Sequence, residues 1–309
     1  MKKTEDQKNV SFDVMIMGAG RIASGFDNPN TEAVLTHAHA VTAHAGFRLQ
    51  GFTDIDMKKA EEAAHKWQTK ALAAPVKADV IVICSPDESH LENVIQAVGL
   101  QPKLIVLEKP IADNLESAEK IMAITKDIPV QVNFTRRFVP EIKALQSQDY
   151  GKFITGTGLY GKGYVHNGSH MIDLLRMILG KIKSVDVIRQ IFDFFPNDST
   201  KTAIITFENG GEFMMRGLDC RFYTVFEAEL CFENARVKVS NGGERIQIEK
   251  KMTSRKFPEH SILIPAEDIT TGIDKAIYGL YENVYEFLTG KTALLSPLET
   301  AFTKAVYVS

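Results

Sequence analysis

The chain contains little cysteine, no long apolar run and no marked excess of charge. Only three of its 309 residues are cysteines, at positions 84, 220 and 231, and this odd, scattered set is not a disulfide framework. We therefore expect a reducing, cytoplasmic environment. No apolar run approaches the roughly 20 residues that a membrane span requires. Lysine and arginine (36) nearly balance aspartate and glutamate (39), so the net charge of −3 indicates no nucleic-acid or anionic-membrane surface.

We do not expect the N-terminus to be a signal peptide. Residues 1–9 are polar and lysine-rich, without the apolar core of a signal peptide, and are interpreted as a frayed tail. Hydrophobic residues make up 44% of the chain and charged residues 24%, as in ordinary globular proteins, and the length suits two domains. The composition therefore predicts a globular protein with two domains.

A glycine-rich turn follows the first strand pattern. Residues 12–17 are an apolar strand that leads directly into G-A-G-R-I-A at 18–23, which is G-x-G-x-x-A. Gly18 permits the tight turn, Gly20 lets the backbone approach a pyrophosphate, and Ala23 allows close packing of helix on strand. The phosphates would then lie on the N–H groups of the following helix. Further strand patterns at 79–84, 104–107 and 130–134 alternate with helical ones, which predicts a doubly wound parallel sheet.

A second strand, residues 48–53, ends at Asp54. A carboxylate at this point can accept hydrogen bonds from the adenosine ribose and would repel a 2′-phosphate, which favours NAD(H) over NADP(H). Asp54 lies 34 residues after Gly20 rather than about 20, and the surplus falls in residues 25–36, an insertion expected near the cofactor. Alternatively, Asp54 caps the helix predicted over residues 57–67, and one carboxylate can serve both roles.

Three histidines, at positions 37, 39 and 44, follow this insertion. The first two are only two residues apart and would diverge on a helix, so no metal site is predicted. Residues 35–45 are better interpreted as the first crossover helix. The insertion itself contains D-N-P-N at 27–30, a strong turn signal.

The residues most suggestive of chemistry follow a later apolar run. Residues 104–107 read L-I-V-L, typical of a buried parallel strand, and Glu108, Lys109 and Pro110 end that strand abruptly. Ligands bind at the carboxyl edge of open α/β sheets, the edge to which the glycine turn brings a dinucleotide. Lys109 could therefore polarise a hydroxyl or carbonyl beside a nicotinamide. Considered alone, this segment is more typical of a solvated lysine at a strand end, and it is the rest of the chain that favours the functional interpretation.

The pattern changes after residue 134. A strand over 153–160 leads into a loop and then a helix from 171 to 179. His166, His170 and Asp173 would share one helix face if that helix begins early, but Gly168 leaves His166 free to lie in the loop. The loop also holds candidates for binding substrate hydroxyls or phosphates, namely Lys162, Tyr164 and Asn167. Their alternative interpretation is a solvated loop.

Residues 182–264 are rich in strand patterns, with turn signals at 208–211 and 241–243, which predicts a mostly antiparallel sheet. Such a sheet often uses one uncovered face as an interface, so we expect a homodimer or homotetramer through it. The predicted domains are a dinucleotide-binding domain, residues 1–134, and a substrate-binding and oligomerisation domain, residues 135–293. A final helix at 294–309 can pack back on the first domain.

Several motifs, in order along nearly the whole chain, resemble those of the glucose–fructose oxidoreductase/inositol dehydrogenase (Gfo/Idh/MocA) family. They are the glycine turn at 18–23, Asp54, Ser85-Pro86 followed by His90, Glu108-Lys109-Pro110, Arg137-Phe138 with Pro140, and H-M-I-D-L-L at 170–175. The resemblance implies an N-terminal Rossmann domain and a C-terminal α/β domain with a large open sheet. It also implies NAD(P)-dependent oxidation or reduction of a small-molecule sugar, polyol or nucleotide sugar.

The resemblance also assigns roles to individual residues. The lysine matching Lys109 lies beside the nicotinamide and the reacting carbon, and the histidine matching His170 is a general acid/base. The candidate cofactor-binding residues are Gly18, Gly20, Arg21, Ile22, Ala23, Asp54, Ser85, Pro86, His90, Glu108 and Lys109. The candidate substrate-binding residues are Lys109, Tyr164, His166, Asn167, His170 and Asp173.

One position departs from the family pattern. Many dehydrogenases of the family have an aspartate four residues before the catalytic histidine, where this chain has His166. A carboxylate there would orient the histidine and increase its basicity, which a neutral imidazole cannot do by charge. The role could pass to Asp173, or His166 could contact an anionic group of the substrate.

The sequence therefore supports one main hypothesis and two alternatives. In the main hypothesis a hydride passes reversibly between nicotinamide and a secondary carbinol or carbonyl carbon. His170 moves the hydroxyl proton, and Lys109 stabilises negative charge on the same oxygen. One alternative is a sugar epimerase, lyase or glycosidase-type enzyme that uses tightly bound NAD transiently. The other is a non-catalytic NAD(H)-binding regulatory protein.

Overall fold

Six parallel strands form the first sheet. The computed structural model describes residues 10–308, so the tail predicted over residues 1–9 lies outside the described residues, as does residue 309. The strands are β1 (Phe12–Met17), β2 (Phe47–Thr53), β3 (Lys70–Ala71), β4 (Val80–Ile83), β5 (Leu104–Leu107) and β6 (Val130–Val132). Their order is β3-β2-β1-β4-β5-β6, and every neighbouring pair is parallel.

This order is that of a doubly wound dinucleotide-binding sheet, as the sequence predicted. The helices associated with it are α1 (His37–Ala43), α2 (Met57–Lys66), α3 (His90–Gly99) and α4 (Leu115–Ile124). Every residue of β4 and β5 is buried, because a parallel strand in the middle of such a sheet is covered on both faces. The carboxyl ends of β1, β4 and β5 consequently lie along one edge.

Eight strands form the second sheet, which is mostly antiparallel as predicted. They are β7 (Phe153–Tyr160), β8 (Ile182–Phe195), β9 (Asp198–Phe207), β10 (Glu212–Gly217), β11 (Phe226–Phe232), β12 (Ala235–Ser240), β13 (Arg245–Thr253) and β14 (Ser261–Thr270). Their order is β14-β13-β12-β11-β7-β10-β9-β8, with a single parallel pair, β7 and β10. The helices α5 (Pro140–Lys143) and α6 (Ser169–Leu179) precede and follow β7. A side chain at Gly158 of β7 would meet the Met171 methyl group of α6 at 3.1 Å, so α6 packs closely on this sheet.

The chain divides into two compact units, one around each sheet. The first contains the described residues up to 112, then 116–133 and 274–299, and the second contains 113–115, 134–273 and 300–308. The sequence placed residues 135–293 in the second domain, whereas α7 (Ala276–Leu288) belongs to the first unit. The physical reason is burial: Tyr281 of α7 is fully buried with its hydroxyl 3.0 Å from His37 Nδ1, and Asn283 Oδ1 accepts a hydrogen bond from Gln131.

The C-terminal segment does not form the single helix predicted over 294–309. The helix α8 (Leu298–Ala301) has four residues, and a short 3₁₀ turn, Lys304–Val306, follows it. Residues 300–308 belong to the second unit, where the backbone oxygen of Ala305 accepts a hydrogen bond from the Tyr164 hydroxyl at 2.8 Å. None of the helices found between residues 10 and 308 has both the length and the apolarity of a membrane span.

Candidate functional site

The glycine turn lies at the end of β1, against the end of β4. Gly18 has a φ of +91°, and a side chain there would lie 2.8 Å from the backbone of Cys84 and Ser85, so only glycine fits. A side chain on Gly20, by contrast, would meet nothing within 4 Å. Ala23 is fully buried, in agreement with the close packing predicted for it. The fold therefore requires glycine at position 18 but leaves the space beside Gly20 open.

The segment after this turn differs from a regular Rossmann helix. Arg21–Gly25 forms one π-helical turn that the Phe26 N–H closes on Arg21 O at 3.0 Å, and α1 begins only at His37. The sequence analysis expected a helix here whose N-terminal N–H groups would bind the phosphates. The structure has instead a five-residue turn, which includes Ile22. The Arg21 guanidinium lies 4.7 Å from the centroid of the Phe26 ring. A long helix does not form here because the inserted residues interrupt it.

Asp27 organises the inserted residues. Its carboxylate accepts hydrogen bonds from the backbone N–H groups of Leu35 and Thr36, from the Thr36 hydroxyl, and from His39 Nδ1. Asp27 is 6% exposed, so the insertion is folded onto the start of α1 by a buried carboxylate. The three histidines considered as metal ligands have other contacts, with Glu108, Asp27 and Glu282 respectively. Within residues 10–308, no cluster of histidine, cysteine or acidic side chains is arranged to hold a metal ion.

Asp54 lies directly beside the glycine turn. One carboxylate oxygen accepts a hydrogen bond from the Ala19 N–H at 2.7 Å, and the other accepts one from the Asp56 N–H at 2.9 Å. The alternative that Asp54 caps α2 was wrong, because Asp56 is the capping residue and accepts from the Lys58 N–H at 3.2 Å. Each oxygen of Asp54 retains acceptor capacity for a further donor.

A cavity of about 370 Å³ lies between the glycine turn and α2. It is lined by Ala19, Gly20, Arg21, Ser24, Gly25, Lys59, Glu62, Ala63 and Lys66. The two lysines are seven residues apart, so both lie on the helix face towards the cavity, and Lys66 also donates to the Ser24 carbonyl at 2.7 Å. The sequence analysis missed these cations, although their spacing on a predicted helix could have indicated them.

Lys109 lies beside a buried hydrogen-bond network. The preceding Glu108 is 6% exposed, and one of its oxygens contacts His37 Nε2 at 2.8 Å and Asn133 Nδ2 at 2.6 Å. Burial raises the pKa of Glu108, but the hydrogen bond and charge of His37, the Asn133 amide and the Lys109 charge outweigh it and hold that pKa below its ordinary value. Glu108 was predicted to bind the cofactor; its carboxylate instead has internal partners, because it points into the unit. His37 and Asn133 were not predicted as site residues.

Lys109 itself is half-buried, and its N–H lies 3.3 Å from the second oxygen of Glu108. The peptide bond that joins it to Pro110 is cis. Because Lys109 follows β5 by two residues, it lies at the carboxyl edge of the sheet, as the end of β1 does. The structure therefore places this lysine at the expected edge of the dinucleotide fold.

His90 connects the two loops at this edge. Its ring nitrogens face backbone oxygens: Nε2 lies 3.0 Å from Ser85 O, and Nδ1 lies 3.0 Å from Pro110 O and 3.2 Å from Ile111 O. The residue is 1% exposed. The buried ring of His90 thus positions these two loops, and its predicted contact with the cofactor stays a prediction. Ser85 and Pro86 remain accessible on the loop itself.

In the second unit, His166 lies on a π-helical turn, Gly163–Gly168, that runs directly into α6. Its Nδ1 lies 2.9 Å from the carboxylate of Asp198, and its ring stacks on Phe195 at 3.8 Å with an interplanar angle of 14°. His170 is half-buried in the first turn of α6. The centroids of its ring and of the Phe134 ring are 5.9 Å apart, and the two rings are nearly perpendicular. Asp198 is a site residue that the sequence analysis missed.

Three predicted substrate-binding residues have structural partners. Asp173 is 3% exposed and accepts hydrogen bonds from Arg137 Nε at 2.9 Å and Nη2 at 2.8 Å, so a buried arginine holds its carboxylate. Tyr164 is fully buried, with its hydroxyl on Ala305 O. Asn167 is half-buried and donates from Nδ2 to Gly161 O at 2.8 Å, which holds the loop closed. These contacts give all three residues structural roles, and their predicted contacts with the substrate stay predictions.

Comparison with known proteins agrees with this geometry. Residues 12–134 match the sequence model of GFO_IDH_MocA, described as an oxidoreductase family with an NAD-binding Rossmann fold. Residues 12–134 are thus similar to the NAD-binding Rossmann domain of the Gfo/Idh/MocA oxidoreductases. The chain is 30% identical over 139 residues to inositol 2-dehydrogenase of Rhizobium meliloti (strain 1021), a match that covers 42% of this chain and 38% of that protein. The chain thus aligns with well under half the length of this curated relative.

Solved structures share the fold over nearly the whole chain. The UDP-N-acetylglucosamine 3-dehydrogenase GnnA from Acidithiobacillus ferrooxidans superposes with a TM-score of 0.75 and 15% identity, covering 96% of this chain and 95% of that one. The WlbA dehydrogenase from Bordetella pertussis, solved with NADH and UDP-GlcNAcA, superposes with a TM-score of 0.73 and 15% identity, covering 94% and 92%. At such identities the likeness establishes the fold.

Proposed function

We propose that this protein is an NAD(P)-dependent oxidoreductase that transfers a hydride between nicotinamide and a secondary alcohol or carbonyl carbon. The observation that carries the proposal is the position of Lys109. It follows β5 at the carboxyl edge of a dinucleotide-type sheet, beside a buried carboxylate that His37 and Asn133 fix in place. A cation at this edge can stabilise negative charge on a reacting oxygen.

The residues at the glycine turn fit a dinucleotide. The open space beside Gly20 admits a pyrophosphate, Asp54 has acceptor capacity for ribose hydroxyls, and the adjoining cavity of about 370 Å³ could take part of the adenosine. The carboxylate supports a preference for NAD(H). Lys59 and Lys66 act in the opposite direction, because cations at this cavity would favour a 2′-phosphate. The choice between NAD(H) and NADP(H) therefore depends on whether the 2′ position of the adenosine ribose lies beside Asp54 or beside the two lysines.

Each proposed catalytic residue has one role. When bound, the nicotinamide would supply or accept the hydride. His170 would take the hydroxyl proton during oxidation and return it during reduction. Lys109 would hydrogen-bond the same oxygen and stabilise its developing charge. His90 would hold the loops that carry Ser85 and Pro110.

The proposed substrate is a sugar, polyol or nucleotide sugar. This follows from the names of the similar proteins, an inositol 2-dehydrogenase and a UDP-N-acetylglucosamine 3-dehydrogenase. We also propose that the second sheet mediates a homodimer or homotetramer. Its edge strand β8 exposes Ile188, Phe192 and Phe194, each 58–59% accessible, and an apolar patch of this kind favours association. Sedimentation of the purified chain tests this: a monomer at micromolar concentration would exclude the proposed oligomer.

The function is tested with Lys109→Ala, with Lys120→Ala on the exposed side of α4 as the matched control. Protein freed of retained cofactor is titrated with NADH and NADPH, then assayed with NAD⁺ and NADP⁺ on inositol and UDP-N-acetylglucosamine. We expect tighter binding of NADH and a loss of kcat of at least about 10²-fold in Lys109→Ala, with cofactor binding retained.

Three outcomes would contradict parts of this proposal. Equal turnover in Lys109→Ala and wild type would remove the role of Lys109. A preference for NADPH would show that Lys59 and Lys66, rather than Asp54, determine the choice. Cofactor retained through purification without net NADH formation would instead support a sugar-modifying enzyme that uses NAD transiently.

A further inference from the structure

The carboxylate of Asp198 makes an unusual set of contacts with one turn of the chain. It accepts hydrogen bonds from the backbone N–H groups of Tyr164, Val165 and His166 at 2.9–3.0 Å, and from the His166 ring at 2.9 Å. Asp198 is 8% exposed, and it lies 32 residues along the chain from His166. One buried carboxylate thus holds both the turn and the side chain that the turn carries.

The first residue of this turn, Gly163, makes the approach possible. A side chain at Gly163 would lie 2.1 Å from the Asp198 carboxylate, and its φ is +80°. The Gly163 N–H is in turn bonded to the Thr200 hydroxyl at 2.7 Å. No other residue at position 163 would allow the carboxylate to reach His166.

These contacts define which nitrogen of His166 can exchange a proton with a ligand. An ionised carboxylate only accepts hydrogen bonds, so Nδ1 of the ring carries the proton and donates it to Asp198. In the neutral ring, Nε2 therefore holds the lone pair. The parallel stack on Phe195 fixes the plane of the ring, and 25% of the side-chain surface of His166 is exposed. An imidazole that a buried carboxylate holds in one orientation and one tautomer is suited to proton transfer.

We propose that His166 is a second proton-transfer residue of the enzyme and that Asp198 is its positioning residue. This rests on the proposed oxidoreductase function. His166 precedes His170 by four residues, which is about one turn of helix. The chain thus places an imidazole at that position and supplies the carboxylate from β9. During oxidation of an alcohol, His170 takes the proton that leaves the substrate oxygen and passes it to Nε2 of His166, and Asp198 stabilises the imidazolium formed.

Other ionisable groups lie on the elements packed against this turn. They are Lys162 before it, Asp193 on β8, Lys201 on β9, His170 on α6 and Lys304 in the C-terminal turn. Asp193 accepts from the Lys162 N–H at 3.0 Å and from the Thr200 hydroxyl at 2.8 Å, so its oxygens serve the neighbouring loop. Burial lowers the pKa of Lys201, and the charge of Asp198 acts against that. Asp198 is the carboxylate that contacts the ring of His166.

The experiment has one arm that needs no substrate. Long-range ¹H–¹⁵N spectra of the uniformly ¹⁵N-labelled full chain report the protonated nitrogen of each histidine, and the His166 signals are assigned by their loss in His166→Gln. We expect Nδ1–H in the wild type and a mixture of tautomers in Asp198→Asn. A wild-type ring with its proton on Nε2 would overturn the proposal, even if no tested substrate is turned over.

The second arm measures turnover. His166→Gln leaves the backbone hydrogen bonds to Asp198 in place, so the turn should stay folded, and His260→Gln at an exposed position is the matched control. We expect kcat to fall by at least about 10²-fold in His166→Gln, with NADH affinity and thermal midpoint unchanged. A kcat within threefold of wild type, in an enzyme that Lys109→Ala inactivates, would overturn the role of His166 and leave the proposed function intact.

Discussion

Replacing His37 by alanine should destabilise the first unit strongly. The ring nitrogen Nε2 lies 2.8 Å from the Glu108 carboxylate, and the two side chains are 0% and 8% exposed, so water cannot replace the lost donor. Only the Asn133 amide, at 2.6 Å, would remain on that oxygen. The Tyr281 hydroxyl would also lose its partner Nδ1 at 3.0 Å. Leaving a buried charged group without one of its hydrogen-bond donors typically costs about 1–3 kcal/mol or more, and we expect a loss at the upper end of this range.

The assay uses the single tryptophan of the chain as a probe of the first unit. Trp67 follows α2 directly and is 4% exposed, so its fluorescence reports unfolding of that unit in urea. A double-mutant cycle compares His37→Ala, Glu108→Gln and the double variant. We expect a coupling energy of about 1.5–3 kcal/mol, the contribution of a hydrogen bond to a charged group. His65→Ala, at an exposed position on α2, is the control and should change stability by no more than about 0.5 kcal/mol.

Additivity would refute this reasoning. If the losses of unfolding free energy in the two single variants sum to the loss in the double variant within about 0.5 kcal/mol, the contact between His37 and Glu108 contributes nothing to stability. A loss below about 1 kcal/mol in His37→Ala would show that water or another donor reaches the carboxylate. Either result would remove the argument that a buried network fixes Glu108 beside Lys109.

The remaining predictions concern the same unit. Because the folded state lowers the pKa of Glu108 below 4.5, Glu108 binds its proton less readily when folded. The contribution of Glu108 to the free energy of unfolding is therefore complete above pH 4.5 and is lost as the pH falls through the folded pKa. Urea titrations at several pH values should show that Glu108→Gln weakens the dependence of the unfolding free energy on pH in this acidic range. Gly18→Ala should cost more than about 1 kcal/mol, because its φ is positive and its new methyl group would meet the Cys84 backbone. Gly20→Ala should leave stability unchanged but weaken NADH binding, and unchanged binding would show that no ligand approaches Gly20.

The sequence predicted the first sheet well because burial there leaves a local pattern. The runs V-I-V-I in β4 and L-I-V-L in β5 are apolar at every position, since both faces of these strands are covered. The sequence has no such pattern to show that residues 274–299 return to the first unit. The partners of α7 are His37 and Gln131, which lie 244 and 152 residues away in the chain, and helical periodicity does not say which unit a helix packs against. The assignment of residues 274–299 therefore needed the tertiary structure.

The same limit applies to the site in the second unit. Helical spacing relates Asp173 to His170, but spacing does not show which side of α6 faces inward. Asp173 lies among the buried residues Ile172, Leu174 and Leu175, and a carboxylate on that face needs a buried cation, which Arg137 provides. The carboxylate that His166 requires comes from the beginning of a strand two β-strands later in the chain. The proposed role of His166 thus depends on a carboxylate from a distant strand, which local sequence spacing does not indicate.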